Sequence, residues 1–145
     1  YCKKNIKKSI RYKEQASYSE IIKFVKRVKD NKKRTLKFIK ENNQKGKKIF
    51  LYGASTKGNT LLQYYGLTNK EIPYAAERTK TKWGKYTIGS GVKILSEKKA
   101  RNLKPDYFFV MPYGFIKEFI KREKKWLKMG GKFILPYPKF KILNK

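Results

Sequence analysis

A long stretch near the start of the chain has apolar residues at helical spacing. Ser17 and Glu20 stand in the S-x-x-E order of a capping box, in which each residue satisfies a backbone N–H at the start of a helix. The apolar positions that fall mostly on one helical face are Tyr18, Ile21, Ile22, Val25, Val28, Leu36 and Ile39. Gly46 is typical of a helix end. We therefore predict an amphipathic helix over about residues 19–43.

The rest of the chain alternates between short apolar runs and helical patterns. The runs predicted as strands are 48–52, 72–76, 106–111 and 132–135. Helical patterns over 61–65, 96–102 and 115–128 separate them. Because strands that alternate with helices form parallel sheets with the helices as crossovers, the pattern predicts an α/β fold with a short parallel sheet. Residues 1–16 show no clear period and are assigned no element.

Composition narrows the chemistry that the chain can perform. Its 145 residues include no His and a single Cys. A Ser-His-Asp triad and an imidazole base are therefore excluded, and a zinc site or a disulfide framework is not expected. The length suits one domain with its own core. Because the chain has neither an apolar run long enough to span a membrane nor the apolar stretch of a secretion signal, we expect a cytoplasmic protein without a membrane partner.

The charge of the chain is extreme. Lys and Arg total 39 against 10 Asp and Glu, which gives a formal net charge of +29. A surface of this kind collects phosphates through counterion release, so a basic nucleic-acid-binding module is one alternative function. The abundance of Lys, Asn, Ile, Tyr and Phe equally fits a bias in nucleotide composition, although the scarcity of Glu does not follow from such a bias. The charge alone therefore does not decide the partner.

The loop after the first predicted strand carries the strongest candidate chemistry. Its candidate phosphate-binding residues are Gly53, Ala54, Ser55, Thr56, Lys57, Gly58, Asn59 and Thr60. They lie between a strand and a helix, where free backbone N–H groups and the positive end of the helix dipole favour an anion. A tight turn with glycines at positive φ and a capping serine explains the same residues equally well.

Two known phosphate motifs fit this loop incompletely. A P-loop needs Lys directly after its second glycine, but Asn59 stands there, so hydrolysis of a nucleoside triphosphate is not expected. The dinucleotide fingerprint G-x-G-x-x-G has Ser55 in place of its middle glycine. Glu77 nevertheless stands at the end of the second predicted strand, where a ribose-binding acid belongs. An NAD-type dinucleotide-binding domain is therefore a second alternative.

Two further loops follow strand ends at the same edge of the predicted sheet. The segment 77–91 is long, cationic and punctuated by glycine, and it carries Trp83 among its cations. Aromatic rings beside Lys and Arg suit a nucleotide base and its phosphates, although they equally suit packing onto the sheet. The candidate nucleotide or sugar contacts are Glu77, Arg78, Lys82, Lys85, Tyr86 and, from the loop after the third strand, Tyr113.

Several motifs, taken in order, are specific enough to indicate a family. They are Leu51-Tyr-Gly-Ala-Ser-Thr-Lys-Gly-Asn-Thr-Leu-Leu-Gln-Tyr-Tyr-Gly66, Glu77-Arg78, Lys82-x-Gly84-Lys85-Tyr86-Thr87, Lys104-Pro-Asp-Tyr107, Met111-Pro112 and Gly130-Gly-Lys-Phe-Ile-Leu-Pro-x-Pro138. From about residue 46 to 138 the chain closely resembles the C-terminal domain of S-adenosylmethionine-dependent nucleotide-sugar C-methyltransferases.

The resemblance implies a Rossmann-like, three-layer domain over 17–143 that helps a three-part enzyme hold a nucleotide-linked keto-sugar. The other parts would be a small zinc-binding domain and an upstream methyltransferase domain, whose end we expect at residues 1–16. S-adenosylmethionine and the histidine base of such enzymes would lie outside this chain, so we expect neither a bound cofactor nor a catalytic residue within it. The loop 53–60 would hold the phosphates, and the loop 77–89 would contact the base or the sugar.

Three motifs depart from the pattern of the family. Asp-Arg-Asn-Pro becomes Glu77-Arg78-Thr79-Lys80, Thr-Pro-Gly becomes Thr87-Ile88-Gly89, and the Trp-Asn pair after the third strand becomes Tyr113-Gly114. These changes bear on the rigidity of the long loop, on the contact with the ribose and on the sugar that is accepted.

Overall fold

A computed structural model describes residues 17–144, in which helices cover both faces of a six-stranded sheet. The strands are β1 Ile49–Tyr52, β2 Tyr74–Glu77, β3 Lys93–Ser96, β4 Tyr107–Val110, β5 Lys132–Leu135 and β6 Lys141–Leu143. The helices are α1 Tyr18–Gln44, α2 Thr56–Tyr65, α3 Glu97–Asn102, α4 Ile116–Arg122 and α5 Lys124–Lys128. The predicted Rossmann-like α/β class, with a long helix before the sheet, is confirmed. The expectation for residues 1–16 lies outside the described residues.

The order of the strands places a reversal in the middle of the sheet. The sheet runs β3-β2-β1-β4-β5-β6, with β6 antiparallel to β5 and the other pairs parallel. The chain therefore builds outward from β1 through β2 to β3 and then returns to the other side of β1 for β4. The crevice above β1 and β4 is the place where open parallel sheets bind their ligands.

Two apolar clusters, one on each face of the sheet, form the core. Because successive strand residues point to opposite faces, alternate positions of the same strand enter different clusters. The cluster under α1 and α2 includes Ile39, Ile49, Leu51, Leu62, Phe109 and Ile134. The cluster under α3, α4 and α5 includes Phe50, Ala100, Phe108, Phe119, Trp126 and Phe133. The three-layer arrangement follows from strands that are apolar on both faces.

Helix α1 begins and ends within a residue of its predicted bounds. Its capping box is formed: Ser17 N donates to Glu20 Oε2 over 2.8 Å, and Glu20 N donates to Ser17 Oγ over 3.3 Å. Only the second half of the helix packs on the sheet, through residues such as Ile39, whereas Tyr18 near its start is 80% exposed. Within residues 17–144, no helix combines the length and the apolar character needed to cross a bilayer.

The structure contains two strands that the sequence pattern did not predict. Strand β3 lies where a loop and the start of a helix were expected, and only Ile94 of its four residues is fully buried. Strand β6 is a short antiparallel edge strand without a fully buried residue. The predicted helix over 115–128 is divided into α4 and α5 at Glu123, whose side chain accepts a hydrogen bond from Tyr52 OH of β1.

Candidate functional site

A cavity of about 310 Å³ lies at the carboxyl ends of β1, β2 and β4, at the reversal of strand order. One side, here called the loop wall, is formed after β1 and β2 by Gly53, Ala54, Ser55, Glu77, Arg78 and Lys82. The opposite side, here called the helix wall, is formed by Glu97 of α3 and by Phe115, Glu118, Phe119 and Arg122 in and beside α4. Tyr52 contributes to the floor between the two walls.

The loop wall is organised by the carboxylate of Glu77, which is only 8% exposed. Its Oε2 accepts a hydrogen bond from Ala54 N over 2.8 Å, and its Oε1 accepts one from Thr79 N over 2.9 Å. Lys82 Nζ lies 3.6 Å from Oε2 and donates to Ala54 O over 2.8 Å. Burial raises the pKa of Glu77, but these donors and the charge of Lys82 outweigh it and lower the pKa on balance. Glu77 is therefore an ionised carboxylate that joins the two loops.

Two glycines after β1, Gly53 in the loop wall and Gly58 on α2, lie close to the segment after β4. Gly53 has a φ of +82°, and a Cβ placed on it would lie 2.9 Å from the ring of Pro112. A Cβ on Gly58 would lie 2.2 Å from Cε of Met111. Ser55 caps α2, since its Oγ accepts a hydrogen bond from Gly58 N over 3.1 Å. The two glycines thus bring the loop and the start of α2 against Pro112 and Met111. Of the turn interpretation, the capping serine is present, but only Gly53 of the two glycines has a positive φ.

The helix wall is held by ion pairs between side chains. Arg122 donates from Nη1 to Glu97 Oε1 over 2.5 Å and from Nη2 to Glu118 Oε1 over 2.5 Å. The same Glu118 oxygen accepts from Arg78 Nη1 across the cavity mouth over 3.4 Å. Glu118 is therefore the one direct ion-pair link between the two walls that the described residues show.

A second polar group lies beneath the helix wall. Tyr52 OH donates to Glu123 Oε1 over 2.7 Å, and Arg101 Nη1 donates to the same oxygen over 2.6 Å. Glu123 is 1% exposed and Tyr52 is fully buried. Burial and the hydrogen bond to Glu123 raise the pKa of Tyr52, so its hydroxyl stays protonated and acts as a donor. The floor of the cavity thus rests on a buried carboxylate whose partners are a tyrosine and an arginine.

Comparison with known proteins assigns the fold to a family. A family model described as the C-methyltransferase C-terminal domain matches residues 3–138. The chain belongs to this family. Over 99 residues it is 37% identical to the C-methyltransferase NovU of Streptomyces niveus, an alignment that covers 68% of this chain and 24% of the relative. The chain therefore spans about a quarter of the length of the curated relative that it matches. The family resemblance seen in the sequence is confirmed.

In this C-methyltransferase C-terminal domain, the cavity collects six of the fourteen candidate site residues: Gly53, Ala54, Ser55, Glu77, Arg78 and Lys82. The next five, which lie on α2 away from the cavity lining, are Thr56, Lys57, Gly58, Asn59 and Thr60. Lys85 and Tyr86 lie beside β3, where Tyr86 forms an antiparallel bridge with Lys93. Tyr113 packs its ring 5.9 Å from that of Tyr137. The candidate phosphate loop is thus divided between the cavity and the exposed start of α2.

The helix wall of this C-methyltransferase C-terminal domain was not predicted as part of a site. Two signals in the sequence bear on it. Glu118 and Arg122 stand four residues apart, the spacing of an ion pair on one helical face. The second signal is scarcity, because four of only ten acidic residues lie in or beneath the cavity: Glu77, Glu97, Glu118 and Glu123. In so basic a chain, each carboxylate is a candidate for a specific role.

Proposed function

We propose that this chain is the sugar-nucleotide-binding part of an S-adenosylmethionine-dependent C-methyltransferase, and that its cavity binds the diphosphate and an adjoining ring of the substrate. The observation that carries the proposal is the cavity at the reversal of strand order, with Arg78, Lys82 and Arg122 in its lining. Open parallel sheets bind nucleotides at this place, and guanidinium groups suit phosphate oxygens. The family adds a methyltransferase context.

The size and lining of the cavity suit part of a sugar nucleotide. A volume of about 310 Å³ is at the lower end of the range for small-molecule sites. It accommodates a diphosphate and one ring, so the remainder of the substrate would extend beyond these residues. Phe115 is 59% exposed at the edge of the lining and offers a flat apolar face against which a base or a sugar can stack.

The role proposed for this chain is to position the substrate. The loop wall is poorly suited to S-adenosylmethionine, since Glu77, the acid placed to bind a ribose, is only 8% exposed and accepts hydrogen bonds from the protein at both oxygens. We therefore propose that the methyl donor binds in another part of the enzyme. Holding the reacting sugar in one orientation is itself a large contribution to catalysis.

The two alternative functions make different demands on the same residues. A dinucleotide-binding domain needs a free acid at the end of β2, and the hydrogen bonds of Glu77 weigh against that role. A nucleic-acid-binding module needs little beyond the net charge of +29. Its binding would weaken steeply with salt and would not distinguish one mononucleotide from another.

Isothermal titration of the 145-residue chain tests the proposal. UDP, dTDP, GDP, NADH and a mixed-sequence single-stranded DNA are titrated at roughly 150 mM and roughly 500 mM salt, since these concentrations separate site binding from counterion release. We expect saturable binding of at least one nucleoside diphosphate, stronger than that of NADH. Tighter NADH binding would favour the dinucleotide alternative. DNA binding that salt abolishes, without diphosphate binding, would favour the nucleic-acid alternative.

Two variants locate the ligand within the fold. Phe115→Ala removes the ring at the cavity edge and should weaken diphosphate binding about tenfold, the size expected for one stacked base. Lys57→Ala tests the exposed start of α2, where part of the predicted phosphate loop lies. Tyr18→Ala is the control, because it also removes an aromatic ring, from an exposed residue of α1 outside the cavity lining. A loss with Lys57→Ala and none with Phe115→Ala would move the site out of the cavity.

A further inference from the structure

The contact between Glu118 and two arginines has the form of a filled anion site. A single oxygen, Glu118 Oε1, accepts hydrogen bonds from Arg122 Nη2 over 2.5 Å and from Arg78 Nη1 over 3.4 Å. Arg78 follows β2 and Arg122 ends α4, so the two guanidinium groups approach from opposite walls of the cavity. A phosphate oxygen makes the same kind of hydrogen bond with arginine.

Two groups of the loop wall that could bind an anion already contact the buried Glu77 or its neighbour. On the loop wall, the N–H of Ala54 donates to Glu77, and Lys82 lies against both Ala54 O and Glu77. Glu77 is itself buried, so its removal would leave these donors without acceptors in a closed environment. A ligand therefore gains little by competing with Glu77.

Glu118 is the carboxylate that a ligand can displace most easily. Its side chain is 50% exposed, and so is free to rotate into water, where its charge remains solvated. Arg122 keeps its second contact, from Nη1 to Glu97, when Glu118 leaves. Displacement would therefore free one edge of the Arg122 guanidinium group while leaving that group oriented by Glu97.

We propose that Arg78 and Arg122 together form the phosphate subsite of this cavity, and that Glu118 occupies the subsite until a phosphate group displaces it. This inference rests on the proposed binding of a nucleoside diphosphate in the cavity. A phosphate group carries more negative charge and more acceptor oxygens than a carboxylate, so it can engage both guanidinium groups fully. Glu118 then lowers the affinity by the fraction of molecules in which it fills the subsite. It also excludes weakly charged ligands from the pair.

The decisive variant is Glu118→Gln, titrated with inorganic pyrophosphate, UDP and uridine. Removal of the competing charge should tighten the binding of pyrophosphate and UDP about three- to tenfold and leave uridine, which has no phosphate, unchanged. Because the variant also raises the net charge by one, Glu41→Gln is the matched control: Glu41 lies outside the cavity lining and forms an exposed pair with Lys37 on α1. Tightening that exceeds the control supports the subsite.

The arginines are tested by loss of binding. Arg78→Gln and Arg122→Gln should each weaken pyrophosphate and UDP tenfold or more, the size expected when a charge-assisted hydrogen bond is lost. Lys121→Gln removes the same charge from an exposed neighbour on α4 outside the cavity lining and should have little effect. Arg78 is largely exposed, so its variant reports on binding even if Arg122→Gln fails to fold.

The outcomes separate this inference from the proposed function. Suppose that UDP binds the unaltered chain, but that Glu118→Gln behaves like Glu41→Gln and the arginine variants behave like Lys121→Gln. The phosphate then lies elsewhere, and the subsite is refuted while the proposed function stands. If neither pyrophosphate nor any nucleoside diphosphate binds the unaltered chain, both are refuted.

Discussion

The two walls of the cavity are built by different means. The loop wall is positioned by the backbone: Gly53 adopts a positive φ against Pro112, and the N–H groups of Ala54 and Thr79 are bound by Glu77. The helix wall is positioned by charges, with Arg122 held between Glu97 and Glu118. One wall therefore depends on close packing and the other on ion pairs between side chains.

The difference indicates which wall can respond to a ligand. A loop fixed by backbone geometry and by a buried carboxylate changes shape only at a high energetic cost. A half-exposed ion pair exchanges partners readily, since its contribution to stability is small. We therefore expect substitutions beneath the helix wall or in the loop wall to affect the free energy of unfolding, and substitutions at Glu118 to affect binding.

The largest expected effect lies beneath the helix wall, at Glu123. Glu123→Ala removes the nearer acceptor of both Tyr52 OH and Arg101, and leaves them only their longer contacts with Glu97, of 3.2 Å and 3.7 Å. Loss of one partner of a buried ion pair costs about 3–5 kcal/mol, and we expect about 3 kcal/mol because Arg101 is partly exposed and can be hydrated. Urea unfolding followed by tryptophan fluorescence measures the loss, since Trp126 packs in the same cluster.

Glu41→Ala is the control for this measurement. It changes the net charge equally, but the pair of Glu41 with Lys37 is exposed, so a change within about 0.5 kcal/mol is expected. If Glu123→Ala destabilised the chain no more than Glu41→Ala, the buried carboxylate would not support the helix wall, and the contrast between the walls would be lost.

The second largest expected loss of stability comes from replacing a glycine of the loop wall. Two variants separate the cost of a positive φ from the cost of a steric clash. Gly53→Ala requires an alanine to adopt the left-handed backbone conformation, and it places a Cβ 2.9 Å from the ring of Pro112. Gly46→Ala, at a φ of +70°, meets no heavy atom within 4 Å, so it reports the backbone cost alone. We expect about 1 kcal/mol of destabilisation for Gly46→Ala and about 2–3 kcal/mol for Gly53→Ala, each measured by urea unfolding. Equal losses would show that the approach to Pro112 is unimportant.

Most of the sheet could be predicted from the sequence because its central strands are apolar on both faces. In the runs around Phe50, Phe108 and Ile134, the residues that point to each face of the sheet are buried. An unbroken series of apolar residues therefore identifies strands β1, β4 and β5. Strands β3 and β6 lie at the sheet edges with few buried residues, and their pairing depends on neighbours that local pattern does not reveal. The same limit applies to α1, whose periodicity predicts the helix but not which half packs.

The loop wall could also be predicted, because its signal lies in neighbouring residues of the sequence. The helix wall could not be predicted. A glycine loop between a strand and a helix is visible in a few consecutive residues. The pair of Glu97 and Arg122 joins residues 25 positions apart, and that of Arg78 and Glu118 joins residues 40 apart. Only the order of the strands brings these elements together. Long-range charge pairs are thus the part of the site that needed the structure.

The smallest effect is a pH dependence that belongs to the loop wall. Burial raises the pKa of Glu77, but its hydrogen bonds lower it on balance below the ordinary value of 4.5. A carboxyl group with a lowered pKa in the folded state stabilises the fold above its unfolded pKa, and this stability is lost as the pH falls through the folded pKa. Unfolding measured between roughly pH 6 and 3 should therefore show a shallower decrease below about pH 4.5 for Glu77→Gln than for the unaltered chain.

Asp106 provides the matched comparison at the opposite end of the parallel strands: it lies at their amino ends, whereas Glu77 lies at a carboxyl end. Asp106 precedes β4 and accepts hydrogen bonds from Lys48 N and Lys47 Nζ, each over 2.9 Å. Burial raises the pKa of Asp106, yet these contacts lower it on balance, so Asp106→Asn should also flatten the pH dependence. Because the two carboxyl groups share no partner, their effects on the pH dependence of stability should add in the double variant.

Of these two variants, only Glu77→Gln should also weaken nucleoside diphosphate binding, since Glu77 orders the loop wall and Asp106 does not contact it. Equal binding by both single variants would remove Glu77 from the site and leave it a purely structural link.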